Sequence, residues 1–206
     1  AYGQTHDEGR LLVEDVAPSR PLDIYGVTKF AAERIALRLG DLWDLDVTCI
    51  RLGSVCGPWE HATGVRDLLS PQVQLAKVAL SGESAILPGK ETWRDWIYSR
   101  DVAAGLAAAV RARRLPHRLY HLSSGIDWSG TLLEWCKLLH GAYPAFSYRA
   151  AAAGETPNVS HRVAKDRSPM EISRIKQDLG FTPAFGPREA YADYIDWVRA
   201  HEDFIR

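Results

Sequence analysis

The chain has 206 residues, 46% of them hydrophobic and 25% charged, the make-up of an ordinary globular domain with enough apolar material for a sizeable core. Lys plus Arg number 25 against 26 Asp plus Glu, so no net field draws the chain toward nucleic acid or an anionic membrane. No apolar run approaches the ~20 residues that span a bilayer, and the opening residues lack the charge and apolar stretch of a signal peptide, so a cytoplasmic location is expected. Cys49, Cys56 and Cys136 have no CxxC spacing and read as reduced packing residues, not as a disulfide framework or a metal site.

Ala1-Tyr2-Gly3 reads as the end of a strand whose beginning is missing, followed by a polar loop. From Ile24 to Trp43 apolar residues recur at helical spacing without an internal proline, which predicts a long helix. Asp46 to Leu52 reads as a buried strand. Ser70-Pro71 is an N-cap followed by proline at the first helical position, opening a helix to about Leu80. A short strand is expected at Ala85 to Leu87, an extended segment at Trp93 to Tyr98, an Ala-rich helix from Ser99 to Arg111 and a strand from Arg118 to Leu122. Such alternation predicts an α/β fold with a parallel, wound sheet. Beyond Ser123 the pattern changes: an amphipathic helix from Ser129 to Leu139, a loop over Ala150 to Gly154, a short helix from Ile172 to Leu179 closed by Gly180, and a final helix from Pro187 to His201.

Tyr25 and Lys29 stand one helical turn apart on one face at the start of the first helix. A phenol beside a fixed cation can exchange a proton with a substrate hydroxyl near neutral pH, where a free phenol is a poor base. Taken alone, the pair also fits a capping-region tyrosine with a solvated lysine.

The run Pro18 to Lys29 with Glu33 resembles the active-site segment of the extended short-chain dehydrogenase/reductase family, specifically its NAD-dependent epimerase/dehydratase branch, which includes UDP-glucose 4-epimerase. Ala1-Tyr2-Gly3 is similar to the end of that family's SxxVYG strand, and Arg51 to Pro58 to its RxxxVYGP segment. Trp93 to Ala103 is similar to its RDxIYVxDVA segment, and Ile172 to Pro183 to its terminal SKxxxxLGxxP turn.

The resemblance implies the C-terminal part of a Rossmann-type parallel sheet with a smaller mixed α/β substrate lobe. On that reading, residues 1–123 form the second half of the Rossmann-type domain, with a substrate-loop insertion at about 57–93, and residues 124–206 form the lobe. It implies NAD or NADP as cofactor, a nucleotide sugar or related small molecule as substrate, and a homodimer through Ile24 to Trp43 and the helix from Ser70. Tyr25 would be the catalytic base, and Lys29 would hold the phenolate and the nicotinamide ribose. Leu52 and Gly53 would line the nicotinamide pocket at a strand's carboxyl end. Ser54, Arg94 and Arg162 would face substrate, Arg94 gripping its diphosphate with a bidentate guanidinium. The bland reading of Arg94 is a surface ion pair with Asp95 or Asp101. His61, Thr63 and Arg66 lie on the loop after Pro58, where the sugar sits in the family; a solvated loop explains them equally.

Four departures bear on function. Ser54 stands where many sugar-nucleotide epimerases have Asn, and Cys56 where the family has Tyr. The chain also has no glycine-rich turn after a first strand, the element that cradles a dinucleotide pyrophosphate, and the family's catalytic Ser or Thr would precede Ala1. The expectation is therefore an incomplete chain, inactive alone. A dehydrogenase of a free sugar, sugar acid or lactone, and a non-catalytic binding or dimerisation module, remain as alternatives.

Overall fold

The computed structural model describes residues 1–5, 10–64, 68–90, 92–126, 128, 130–161 and 166–206. The chain divides into two compact units: residues 1–55, 94–127 and 166–184 form the first, and residues 56–93, 128–165 and 185–206 the second.

The first unit is built on parallel pairing. Strand β1 (Cys49–Leu52) runs beside β5 (Leu119–Leu122) in the register Cys49↔Leu119 to Leu52↔Leu122. Strand β2 (Ser54–Cys56) pairs with β4 (Trp96–Tyr98). Parallel strands need a long connection, and the one from β1 to β5 includes α3 (Ser99–Arg111), which lies between β4 and β5 in the chain. Its Gly105 lies so close to the sheet that a Cβ there would meet Leu122 Cδ1 at 2.7 Å. Ile97, Val102, Tyr120, Leu122, Ile172, Ile175 and Phe181 form the core. The last three come from the late segment that carries α5 (Ser173–Leu179), which ends at Gly180 in the left-handed conformation, φ 60°. That segment is stitched in by backbone: Leu12 N donates to Pro169 O and Glu171 N to Leu12 O, each at 2.8 Å. Ala184 N donates to the Asp101 carboxylate, also at 2.8 Å.

Helix α1 (Ile24–Trp43) has the bounds its periodicity predicts. The Asp23 side chain accepts from Gly26 N and starts the helix. Asp44, at φ 51°, ends it, its amide donating to Gly40 O. Within the helix only Gly40 is fully buried, so Ile24, Val27, Ile35, Leu42 and Trp43 leave an apolar stripe in the open.

In the second unit, α2 (Pro71–Ser81) starts at Ser70, whose hydroxyl accepts from Val73 N, and closes on Gly82. Helix α4 (Thr131–Ala142) packs against both it and α6 (Pro187–Ala200), and Trp135 stacks on Tyr191 and Tyr194 at 4.9 and 5.3 Å. Trp135 Nε1 donates to Gln72 O at 3.1 Å, so the indole is polar-satisfied as well as buried. Strand β3 (Ser84–Leu87) pairs in parallel with β6 (Ser147–Ala150). Asn158 extends the β3 edge, accepting from Ile86 N and donating to Ser84 O.

Two expectations need correction. Ala150 belongs to β6 and not to a loop, because parallel pairing with β3 carries the extended backbone through it, with Leu87 as its partner. The final helix stops at Ala200; His201, at φ −136°, breaks it, and α7 (Glu202–Ile205) follows as a separate turn.

Candidate functional site

Tyr25 and Lys29 open α1. Asp23 caps the helix, its first turn is exposed, Tyr25 to 61%, and Lys29 Nζ lies 5.5 Å from the Tyr25 ring centroid. Phenol and ammonium thus stand side by side and open to a ligand.

One turn further along α1, Glu33 faces β1. Arg51 donates to it through Nε and Nη2, both at 2.7 Å, in a fork that matches the carboxylate. The two side chains are only 10% and 9% exposed. Arg51 Nη2 also donates to Ser19 Oγ at 3.0 Å, and the guanidinium lies 4.4 Å from the centroid of the Tyr2 ring. Tyr2 in turn bonds His121 Nε2 at 2.5 Å, and His121 Nδ1 meets Glu171 O at 3.0 Å. A carbonyl can only accept, so the proton is assigned to Nδ1 and the Tyr2 hydroxyl donates to Nε2. Burial holds His121 below the usual imidazole range and pushes the Tyr2 phenol up, so both stay neutral in this arrangement. These contacts fix the helix that presents Tyr25 and Lys29 to the strand that ends at Leu52.

The carboxyl ends of β1 and β5 meet around Gly53. Gly53 N donates to Leu122 O at 3.0 Å, and a Cβ at this position would lie 2.5 Å from Ser123 Oγ and 2.8 Å from Asp95 O. Glycine is required there by the close approach. Leu52 is exposed beside it. Ser54 N donates to Asp95 O at 2.7 Å.

The Asp95 carboxylate is buried and receives Ser123 Oγ at 2.5 Å and Met170 N at 2.8 Å. Burial raises its pKa to about 6, against the opposing pull of those two hydrogen bonds. Arg94, next to it, is 6% exposed, which removes the surface-ion-pair reading. His61 and Thr63 are exposed, His61 Nδ1 lying 3.2 Å from Trp59 O. Arg66 and Arg162 lie outside the described residues.

The structure therefore groups Tyr25 with Lys29, and Gly53 and Ser54 with Asp95 beside Arg94. The roles of Asp95, Ser123 and the Glu33–Arg51 pair were not anticipated from the sequence. The available signal was charge: Asp95 interrupts the apolar run Trp93 to Tyr98.

Parallel pairing of β1 with β5, alternating strands and helices, and polar groups gathered at the strands' carboxyl ends make this an α/β protein of the kind that binds ligands at strand ends. A sequence model of the NAD dependent epimerase/dehydratase family matches residues 1–122, and the chain belongs to that family. It is 26% identical over 191 residues to a dTDP-glucose 4,6-dehydratase of Actinoplanes sp., covering 92% of this chain and 54% of that protein. A dTDP-L-rhamnose 4-epimerase of Burkholderia thailandensis is 22% identical over 196 residues, covering 92% and 50%.

Among solved structures, MoeE5 in complex with UDP-glucuronic acid and NAD superposes with a TM-score of 0.70 at 26% identity, covering 97% of this chain and 63% of that one. A UDP-glucuronic acid 4-epimerase from Bacillus cereus gives 0.71 at 16%, covering 97% and 60%, which shows the fold. The chain spans about half the length of the curated relatives it matches. Among the described residues no helix is long and apolar enough to cross a membrane.

Proposed function

We propose that this chain provides the proton-transfer and substrate side of an NAD(P)-dependent epimerase or dehydratase acting on a nucleotide sugar. The observation that carries the reading is the Tyr25–Lys29 pair, phenol and ammonium exposed together on the capped first turn of α1 in a member of this family.

The residues fit the nicotinamide end of a dinucleotide. The exposed phenol and ammonium offer hydrogen bonds to a ribose, and side-chain-free backbone at Gly53 lies at the strand ends. NAD, when bound, supplies the hydride acceptor and donor. Tyr25 takes the proton from the sugar hydroxyl whose carbon gives up hydride, and returns it when the carbonyl is reduced again. Lys29 holds the phenolate form by its charge and anchors the ribose. Leu52 and Gly53 line the nicotinamide. Ser54 and Arg94 face the substrate, Arg94 toward its diphosphate, with Arg162 as a second contact. Residues 124–206 supply the substrate lobe, and the apolar stripe of α1 pairs two copies into a cytoplasmic homodimer.

The test is incubation of the protein, joined to a glycine-rich dinucleotide-binding half of the same family, with NAD and, in turn, UDP-glucose, UDP-glucuronic acid and dTDP-glucose, with products followed by NMR. The expected result is a 4-epimer or a 4-keto-6-deoxy product without net NADH, lost in Tyr25→Phe and Lys29→Met. Net NADH formation from a free sugar would replace this reading with a dehydrogenase. Product formed equally by Tyr25→Phe would remove the tyrosine base.

A further inference from the structure

We propose that Asp95 is a positioning residue for Arg94, locking the backbone from which the guanidinium reaches a nucleoside diphosphate. The inference rests on the reading of Arg94 given above and adds the residue that makes it rigid.

Asp95 is a junction of four chain segments. Its carbonyl accepts from Ser54 N at 2.7 Å, tying it to the start of β2. One carboxylate oxygen takes the Ser123 hydroxyl at 2.5 Å, tying it to the end of β5. The other takes Met170 N at 2.8 Å, tying it to the late segment before α5. Trp96 N donates to Arg94 O at 3.1 Å, closing a three-residue turn with Asp95 at its centre and delivering the chain into β4. Arg94 is thus one arm of a turn whose central residue is fixed on three sides.

Burying a carboxylate in this knot is costly for stability alone, and the rise of its pKa to about 6, caused first by burial, goes with that cost. An Asn would fill the same volume without the charge penalty, so bare packing gives no reason for Asp. A carboxylate does what an amide cannot, accepting on both oxygens at once, which holds Ser123 and Met170 simultaneously. An arginine side chain has many rotamers, and a turn held at this precision removes the backbone part of the search for a bidentate phosphate geometry. Asp95 need not touch the ligand.

The experiment is isothermal titration of the full chain with UDP and with dTDP, with uridine and thymidine as phosphate-free controls. It compares wild type with Arg94→Ala, Asp95→Asn, the double variant and Ser123→Ala. Asp95→Asn is expected to weaken diphosphate binding about ten-fold and leave nucleoside binding unchanged. In the double variant the loss should be no greater than in Arg94→Ala alone, because Asp95 acts through Arg94. Ser123→Ala, which removes one of the two donors, should give a two- to three-fold loss of the same kind and covers the case in which Asp95→Asn fails to fold.

Unchanged diphosphate affinity in folded Asp95→Asn or Ser123→Ala overturns the proposal, as do losses that simply add to that of Arg94→Ala. Wild-type affinity in Arg94→Ala, or no diphosphate binding by the wild type, overturns the phosphate role of Arg94 itself and the proposal with it.

Discussion

Replacing Glu33 by Ala tests how α1 is held to the sheet. The substitution removes the carboxylate that receives two donors from Arg51 at 2.7 Å and leaves that guanidinium, 10% exposed, with its charge uncompensated. Removing one partner of a buried pair costs about 3–5 kcal/mol, whereas an exposed pair contributes about 0–1 kcal/mol. The structure places this pair in the first class, because water reaches little of either side chain. With a urea slope of about 2 kcal/mol/M, the midpoint of unfolding by circular dichroism should fall by roughly 1.5–2.5 M. Glu33→Leu combined with Arg51→Met keeps the apolar volume and removes both charges, so it should recover most of the loss. The deficit of the single variant should persist in high salt, since buried charges are weakly screened. A single-variant loss below about 1 kcal/mol, or one that vanishes with salt, would refute the reasoning.

Three more outcomes follow from the described contacts. Asp95 has a folded pKa of about 6, above its ordinary 3.8, so its protonated form stabilises the fold below about pH 4 and that contribution is lost as pH rises through 6. The arithmetic, (6 − 3.8) × 1.36, gives about 3 kcal/mol, and Asp95→Asn should flatten the decline between pH 4 and 7 in thermal melts by that order. Gly53→Ala places a Cβ 2.8 Å from a backbone oxygen, which cannot swing away as a side chain could; a loss of about 1–3 kcal/mol is expected in urea unfolding, and a neutral result would mean the strand ends are loosely joined. Trp135→Ala opens the stack with Tyr191 and Tyr194 in the second unit and should cost about 3–5 kcal/mol by the same assay.

The helices were legible because their signals are local. The apolar spacing of α1, Ser70-Pro71 ahead of α2 and Gly180 directly after α5 are each read within a few residues of the helix they mark, whereas the Asp23 cap of α1 emerges only from the structure. The site's candidate tyrosine and lysine were legible for the same reason, being four residues apart on one helix. Strand β6 was not, since Ser147 to Ala150 becomes extended through a partner more than sixty residues earlier in the chain. The contacts that hold the site in place belong to the same non-local class. Tyr2 meets His121, Ser123 meets Asp95 and Arg51 meets Glu33 only after the sheet has formed, and no spacing rule joins such pairs.

The return of residues 166–184 to the first unit has a consequence for synthesis. Ile172, Ile175 and Phe181 fill the core that Ile97 and Leu122 begin, and Met170 N satisfies a buried carboxylate laid down 75 positions before it. While the ribosome is still making residues 128–165, the parallel sheet already exists as sequence but lacks part of its interior, and Asp95 lacks one of its two donors. The first unit to begin is therefore not the first that can finish. A nascent chain arrested before residue 166 should stay protease-sensitive in β1, β4 and β5 and need a chaperone's cover, whereas release past residue 184 should close the whole unit in one cooperative step.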